Sequence, residues 1–226
     1  MKSKRITIIC GHYGSGKTTF SINYALYLRN QTSKDIYIAD LDVVNPYFRS
    51  REHFDYLKDK NIKVIGSYLP QSGADLPAVS AEVYTLFDNK NIIGIVDMGG
   101  NSAGSLSFAT FRDNVDIEET DIIFILNANR EENSTLESAL GHFNSIESTL
   151  GLKITGIVNN THLMNDTTIE DINKGELISS ELSKEKNIPV KFTCINMDFF
   201  DNNPNIKSKY DLFLIGYDIK TVTNII

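Results

Sequence analysis

Apolar positions along this chain fall into two alternating patterns. Short unbroken apolar runs, rich in β-branched residues, recur near 4–10, 35–41, 62–67, 92–98, 120–126, 153–159 and 189–193. Runs of this length and composition predict strands buried on both faces. Between them, apolar residues return at three- and four-residue spacing over 17–30, 47–60, 77–89, 104–112, 133–150 and 168–187, which predicts helices. Strand and helix taking turns in this way predict right-handed crossovers. The expected architecture is a three-layer α/β/α, doubly wound, mostly parallel sheet over residues 1–226 as a single domain. The polar stretch from 199 onward ends in the apolar run 212–215 and is assigned no element.

One connection carries chemistry. After the first strand the chain reads Gly11-His12-Tyr13-Gly14-Ser15-Gly16-Lys17-Thr18, which is Gly, four residues, then Gly-Lys-Thr. This is the phosphate-loop (Walker A) pattern, in the strand–loop–helix setting that gives it meaning. Glycines let the backbone wrap an anion and aim several N–H groups at it. The helix that follows adds the positive end of its dipole. Lys17 is expected on the β- and γ-phosphates and the Thr18 hydroxyl on Mg²⁺. Ser15 is a further phosphate donor, and Thr19 completes the nucleotide-binding stretch.

In a parallel sheet, ligands bind at the carboxyl ends of strands. The second strand ends Ala39-Asp40-Leu41-Asp42 and the fourth ends Ile95-Val96-Asp97-Met98-Gly99-Gly100. Beside a phosphate loop, Asp97 is expected to hold Mg²⁺ through water, Asp40 to assist it, and Asp42 to orient an attacking water. The two glycines after Asp97 let the backbone approach a γ-phosphate. The sixth strand closes on Asn159-Asn160, and Asn160 offers the donor and acceptor that suit an adenine edge, with Asn159 as alternate. No Asn-Lys-x-Asp follows, which favours ATP over GTP.

The loop, the Asp-x-Asp and the Asp-x-Gly-Gly together resemble the MinD/ParA/CobQ group of P-loop NTPases, over about 1–195. The segment 40–52 also resembles a small bacterial ATP-binding family in that group. The resemblance implies ATP and Mg²⁺ as ligands, with Lys17, Asp42 and Asp97 as catalytic residues. It departs at two positions. His12 stands where the group has a lysine that reaches a partner's nucleotide, and Tyr13 stands where it has glycine. A protonated His12 is the candidate substitute.

Composition narrows the field. The net charge of −7 gives no support to nucleic acid or an anionic membrane surface as the main partner. Cys10 and Cys194 form no Cys-x-x-Cys pair, so neither zinc nor an Fe–S cluster is signalled. No apolar run suits a secretory leader or a bilayer span, and a cytoplasmic location is expected. The first expectation is an ATPase that hydrolyses ATP to drive a conformational switch, with a homodimer as the expected assembly. The alternatives are an ATP-dependent ligase or small-molecule kinase, with Arg49 and Arg51 holding a small anionic substrate, and a non-hydrolysing switch that docks a partner protein. Segments 45–52, 68–77 and 101–105 are the expected partner or switch surfaces. Arg130, after the fifth strand, is expected to reach a ligand or cap the sheet edge.

Overall fold

The computed structural model describes residues 4–42, 51–66, 81–100, 108 and 110–216, with the backbone alone for 51–54 and 81. Eight strands form one parallel sheet: β1 (Ile6–Cys10), β2 (Asp35–Asp40), β3 (Ile62–Gly66), β4 (Ile92–Asp97), β5 (Thr120–Leu126), β6 (Gly156–Asn159), β7 (Val190–Asn196) and β8 (Leu212–Ile215). Their spatial order is β3-β2-β4-β1-β5-β6-β7-β8. Six α-helices lie among the described residues: α1 (Lys17–Arg29), α2 (Arg51–Asp59), α3 (Tyr84–Asp88), α4 (Leu136–Leu150), α5 (Ile169–Lys186) and α6 (Met197–Asn202).

The order of strands places the site. From β1 the chain moves outward to β2 and β3, returns through β4, and then continues on the other side with β5. β1 pairs with both β4 and β5. The turn after β1 therefore sits where the winding reverses, which leaves a crevice at the carboxyl ends of the strands. All five residues of β1 and all seven of β5 are buried, as their continuous apolar runs require of strands covered on both faces.

Each face has its own core. One joins the sheet to Phe111 and to Phe143, Ile146 and Leu150 of α4. The other joins it to α1, Leu57 and Phe213. Helix α1 is buried at every position from Phe20 to Leu26 and again at Leu28. The aromatic ring of Phe213 on β8 packs against Phe20 and Phe192, with centroids 5.4 and 5.3 Å away. Within α1 the buried Asn23 donates to the Gly216 carbonyl at 3.1 Å and accepts its N–H at 3.0 Å. That pair fastens the end of β8 to the helix that carries the phosphate loop.

Predicted and observed elements differ mainly at their ends. Strand β7 runs three residues further than predicted because it gains a neighbour. Thr193 to Asn196 pair with Leu212 to Ile215, so the apolar run in the tail is an edge strand. Strand β6 starts at Gly156 rather than 153, and Thr155 meets β5 through its hydroxyl, which accepts the Ile122 N–H at 2.9 Å. Helix α4 begins later than 133 because Glu131–Asn133 forms a 3-10 turn and Thr135 caps the helix with Ser138. The predicted helix over 77–89 appears as a 3-10 turn, Ala81–Val83, leading into α3. Positions 77–80, 43–50 and all but Phe108 and 110–112 of the predicted 104–112 helix lie outside the described residues. Both cysteines are buried and free, and burial pushes the Cys10 thiol up to about 12.

Candidate nucleotide-phosphate site

The phosphate loop leaves β1 at Gly11 and enters α1 at Lys17. Gly14 and Gly16 sit at φ 73° and 84°, a region that side chains with a Cβ resist. Gly16 is also the residue at the helix start, so the first N–H groups of α1 point into the loop. The Ser15 hydroxyl is buried without a partner among the described residues. Lys17 is nine-tenths buried or more, at 6% exposure, and its ammonium donates to the His12 carbonyl at 3.0 Å. Burial lowers its pKa, while Asp97 and then Asp42 pull it back up.

Asp97 ends β4 with no exposed surface. Thr18 Oγ1 donates to its Oδ2 at 2.6 Å, and Ser21 Oγ donates to its Oδ1 at 3.3 Å. Thr18 and Ser21 are three apart on α1 and so share a face, a spacing that marks Ser21 as a partner of Asp97. Burial drives the carboxyl up to about 6, against the opposing pull of the Thr18 hydrogen bond and of Lys17. A buried carboxylate held this reluctantly in its charged form suits a cation. Thr18 and Asp97 supply only oxygen donors, the kind Mg²⁺ prefers, and one or two carboxylates beside phosphate oxygens are a usual protein share. Among the described residues there is no cluster of three or more His, Cys, Asp or Glu that could hold a metal ion.

Two strand-end aspartates part company here. Asp42 lines a cavity of about 230 Å³ with Tyr13, Lys17, Thr18, Thr19 and Arg130. Asp40 turns back instead, its Oδ1 accepting the Asp42 N–H at 3.0 Å, and so shapes the turn that presents Asp42. Gly100 lies against the loop: a Cβ there would meet Tyr13 N at 2.6 Å and Lys17 Nζ at 2.7 Å. Segments 45–50, 68–77 and 101–105, with Arg49, lie outside the described residues, and so does the side chain of Arg51.

On the other side of the loop, Asn160 is buried and donates to the Ser15 carbonyl at 2.7 Å. Arg130 donates through Nε to the Gly14 carbonyl at 3.1 Å. Asn159 instead faces α5, donating through Nδ2 to the Ile172 carbonyl at 3.4 Å, while its Oδ1 accepts the Thr161 hydroxyl at 2.7 Å. His12 lies outside the cavity that Lys17, Thr18 and Arg130 line. Its Nδ1 donates to the Tyr13 carbonyl at 2.8 Å, and its Nε2 lies 3.3 Å from Glu132 Oε1. The ring lines a second cavity of about 310 Å³, walled by Cys10, Gly99, Gly100, Glu132, His142 and Thr149 among others. Burial, followed by the charge of His12, lowers His142 to about 4.

Comparison of the sequence with protein-family models finds no match, and comparison with curated proteins finds none. Solved structures do match. FtsY from Thermotoga maritima superposes with a TM-score of 0.57 at 20% identity, over 84% of this chain and 61% of that one. The 54 kDa signal recognition particle protein of Aeropyrum pernix, in complex with GDP, gives 0.55 at 18%, over 85% and 41%. FtsY from Elizabethkingia anophelis, also with GDP, gives 0.55 at 14%, over 86% and 58%. The chain has the P-loop NTPase fold. It spans about two to three fifths of the length of those proteins, and at these identities the likeness is one of fold. These matches bear on the fold and not on the particular likeness to MinD, ParA and CobQ. Among the described residues no helix is long and apolar enough to cross a membrane.

Proposed function

We propose that the chain is a Mg²⁺-dependent P-loop ATPase of the MinD/ParA/CobQ type that hydrolyses ATP to drive a conformational switch in the cytoplasm. The observation that carries this reading is the 2.6 Å bond from Thr18 to the buried Asp97, formed inside the loop that also holds Lys17. Lys17 binds the β- and γ-phosphates. Thr18 and Asp97 hold Mg²⁺, the latter through water, and the ion neutralises phosphate charge when bound. Asp42, on the same cavity wall, orients the attacking water. ATP rather than GTP is supported by position 163. Guanine recognition would place a carboxylate three residues after Asn160, and the chain has Leu163 there. Asn160 keeps its amide oxygen and one N–H for the adenine edge while its other N–H holds the loop.

A second reading is a small-molecule kinase or ligase. It is favoured by the polar cavity beyond His12, which shares the Gly11–His12 and Gly100 walls with the phosphate loop. Phosphate release from ATP, measured over a range of protein concentrations and with added metabolite extracts, separates the two. Turnover by the protein alone, rising with its concentration, supports a dimeric ATPase. Turnover only with a metabolite supports transfer. Binding of ATP with no release under either condition contradicts both and leaves a non-hydrolysing switch.

A further inference from the structure

We infer that Arg130 is a phosphate-binding residue of this site, so that the chain supplies from its own β5 loop a cation that His12 does not bring to the phosphate cavity. The inference rests on the nucleotide reading above and adds a residue to it. The two candidate cations of the loop face different ways. His12 is engaged by Tyr13 and Glu132 and lines the second cavity. Arg130 lines the phosphate cavity together with Lys17 and Thr18.

The position of Arg130 is set from both ends. Its Nε is fixed by the Gly14 carbonyl, and its Cζ and Nη2 would lie 2.9 Å from a Cβ at Gly14, so the guanidinium lies directly on the loop. Gly14 is thereby required twice, once for its positive φ and once for this contact. At the base of the side chain, the Arg130 N–H is bonded to the Asn127 carbonyl at 3.0 Å. Asn127 is itself fully buried, donating to the His162 carbonyl at 3.2 Å and accepting the His162 N–H at 3.3 Å. The Ala128 N–H is held by Thr161 Oγ1 at 3.0 Å. A short loop pinned at three points presents the arginine with little freedom left to lose on binding.

Charge points the same way. Among the described residues no carboxylate pairs with Arg130. With Nε engaged, the two terminal nitrogens keep four N–H donors, and a guanidinium fork matches phosphate oxygens well. The geometry resembles a clamp: Asn160 holds the Ser15 carbonyl from one side and Arg130 holds the Gly14 carbonyl next to it.

The test is calorimetry of Mg·ATP binding to wild-type protein, Arg130→Gln and Arg130→Lys, at two salt concentrations, with each variant's unliganded melting temperature as the folding control. Gln keeps a planar hydrogen-bonding head and removes the charge. A lost charge-assisted phosphate contact predicts ATP binding weakened by about ten- to a hundredfold in Arg130→Gln, a shallower salt dependence, partial recovery in Arg130→Lys, and an unchanged melting temperature. Wild-type affinity in Arg130→Gln overturns the inference. So does a loss of affinity with the same salt dependence as wild type, which would make Arg130 a loop tether or a base-stacking group. Failure of the wild-type protein to bind ATP at all overturns the nucleotide reading instead.

Discussion

Replacing Asp97 by Asn should change the pH dependence of stability in a direction opposite to the usual one for a carboxylate. The carboxyl is fully buried and its pKa is pushed from 3.8 to about 6. The folded chain therefore binds this proton more tightly than the unfolded chain. Stability from the group is complete below about pH 4 and is lost as pH rises through 6. A displacement of about two units corresponds to about 3 kcal/mol across that window. Asparagine cannot titrate, and it keeps an amide oxygen for the Thr18 hydroxyl. Any fixed cost of the buried amide is the same at every pH, so it cancels from the comparison. His142 and His162, both lowered to about 4 chiefly by burial, affect both proteins alike and cancel too. Urea unfolding of the unliganded proteins, followed by circular dichroism because the chain has no Trp, gives the difference at pH 4.5, 6 and 8. Relative to Asp97→Asn, the wild type should lose most of those 3 kcal/mol between the first and last. A constant difference, or a wild type that gains on Asp97→Asn as pH rises, would refute the reasoning. Mg·ATP should stabilise the wild type well above its effect on the variant, because a bound cation favours the ionised carboxyl.

Three further outcomes follow from single contacts. Asn23→Ala leaves the N–H and C=O of Gly216 without their buried partner and should lower unfolding stability by about 2 kcal/mol in the same urea assay. Asp42→Ala should retain ATP binding within about threefold by calorimetry, while phosphate release falls by about a hundredfold or more, the pattern of a group needed for the reaction and not for affinity. Gly100→Ala puts a methyl within 2.7 Å of Lys17 Nζ. The same methyl lies 2.6 Å from the Tyr13 backbone nitrogen, so the phosphate loop itself must shift, and calorimetry should show ATP binding weakened by about tenfold or more.

The strands and the phosphate loop were the legible part of this fold. Their signals are local: an unbroken Ile-rich run such as 122–125 has few alternatives to a buried strand, and Gly-Ser-Gly-Lys-Thr after such a run has few alternatives to an anion loop. Strand β8 was not legible, because its four residues owe their conformation to β7, Phe20 and Asn23, all distant in sequence. Asp40 and Asp42 looked equivalent from spacing alone. They separate only because the chain turns at 41, so that one carboxylate caps the other's N–H. His12 and Arg130 are the plainest case. His12 stands where the resembling group has its lysine and Arg130 could equally have capped the sheet edge, while the cavity beside Lys17 is lined by the arginine, 116 residues beyond Gly14, and only the adjacency of β1 to β5 brings it there.

The central claim is that residues 11–18 wrap the phosphates of ATP, and calorimetric titration of Mg·ATP into wild-type protein and Lys17→Ala tests it most directly. Wild-type protein should bind saturably at one site per chain, and the variant should give no measurable heat. Wild-type protein that binds neither ATP nor GTP, or a Lys17→Ala variant that binds ATP as tightly as wild type, would contradict it.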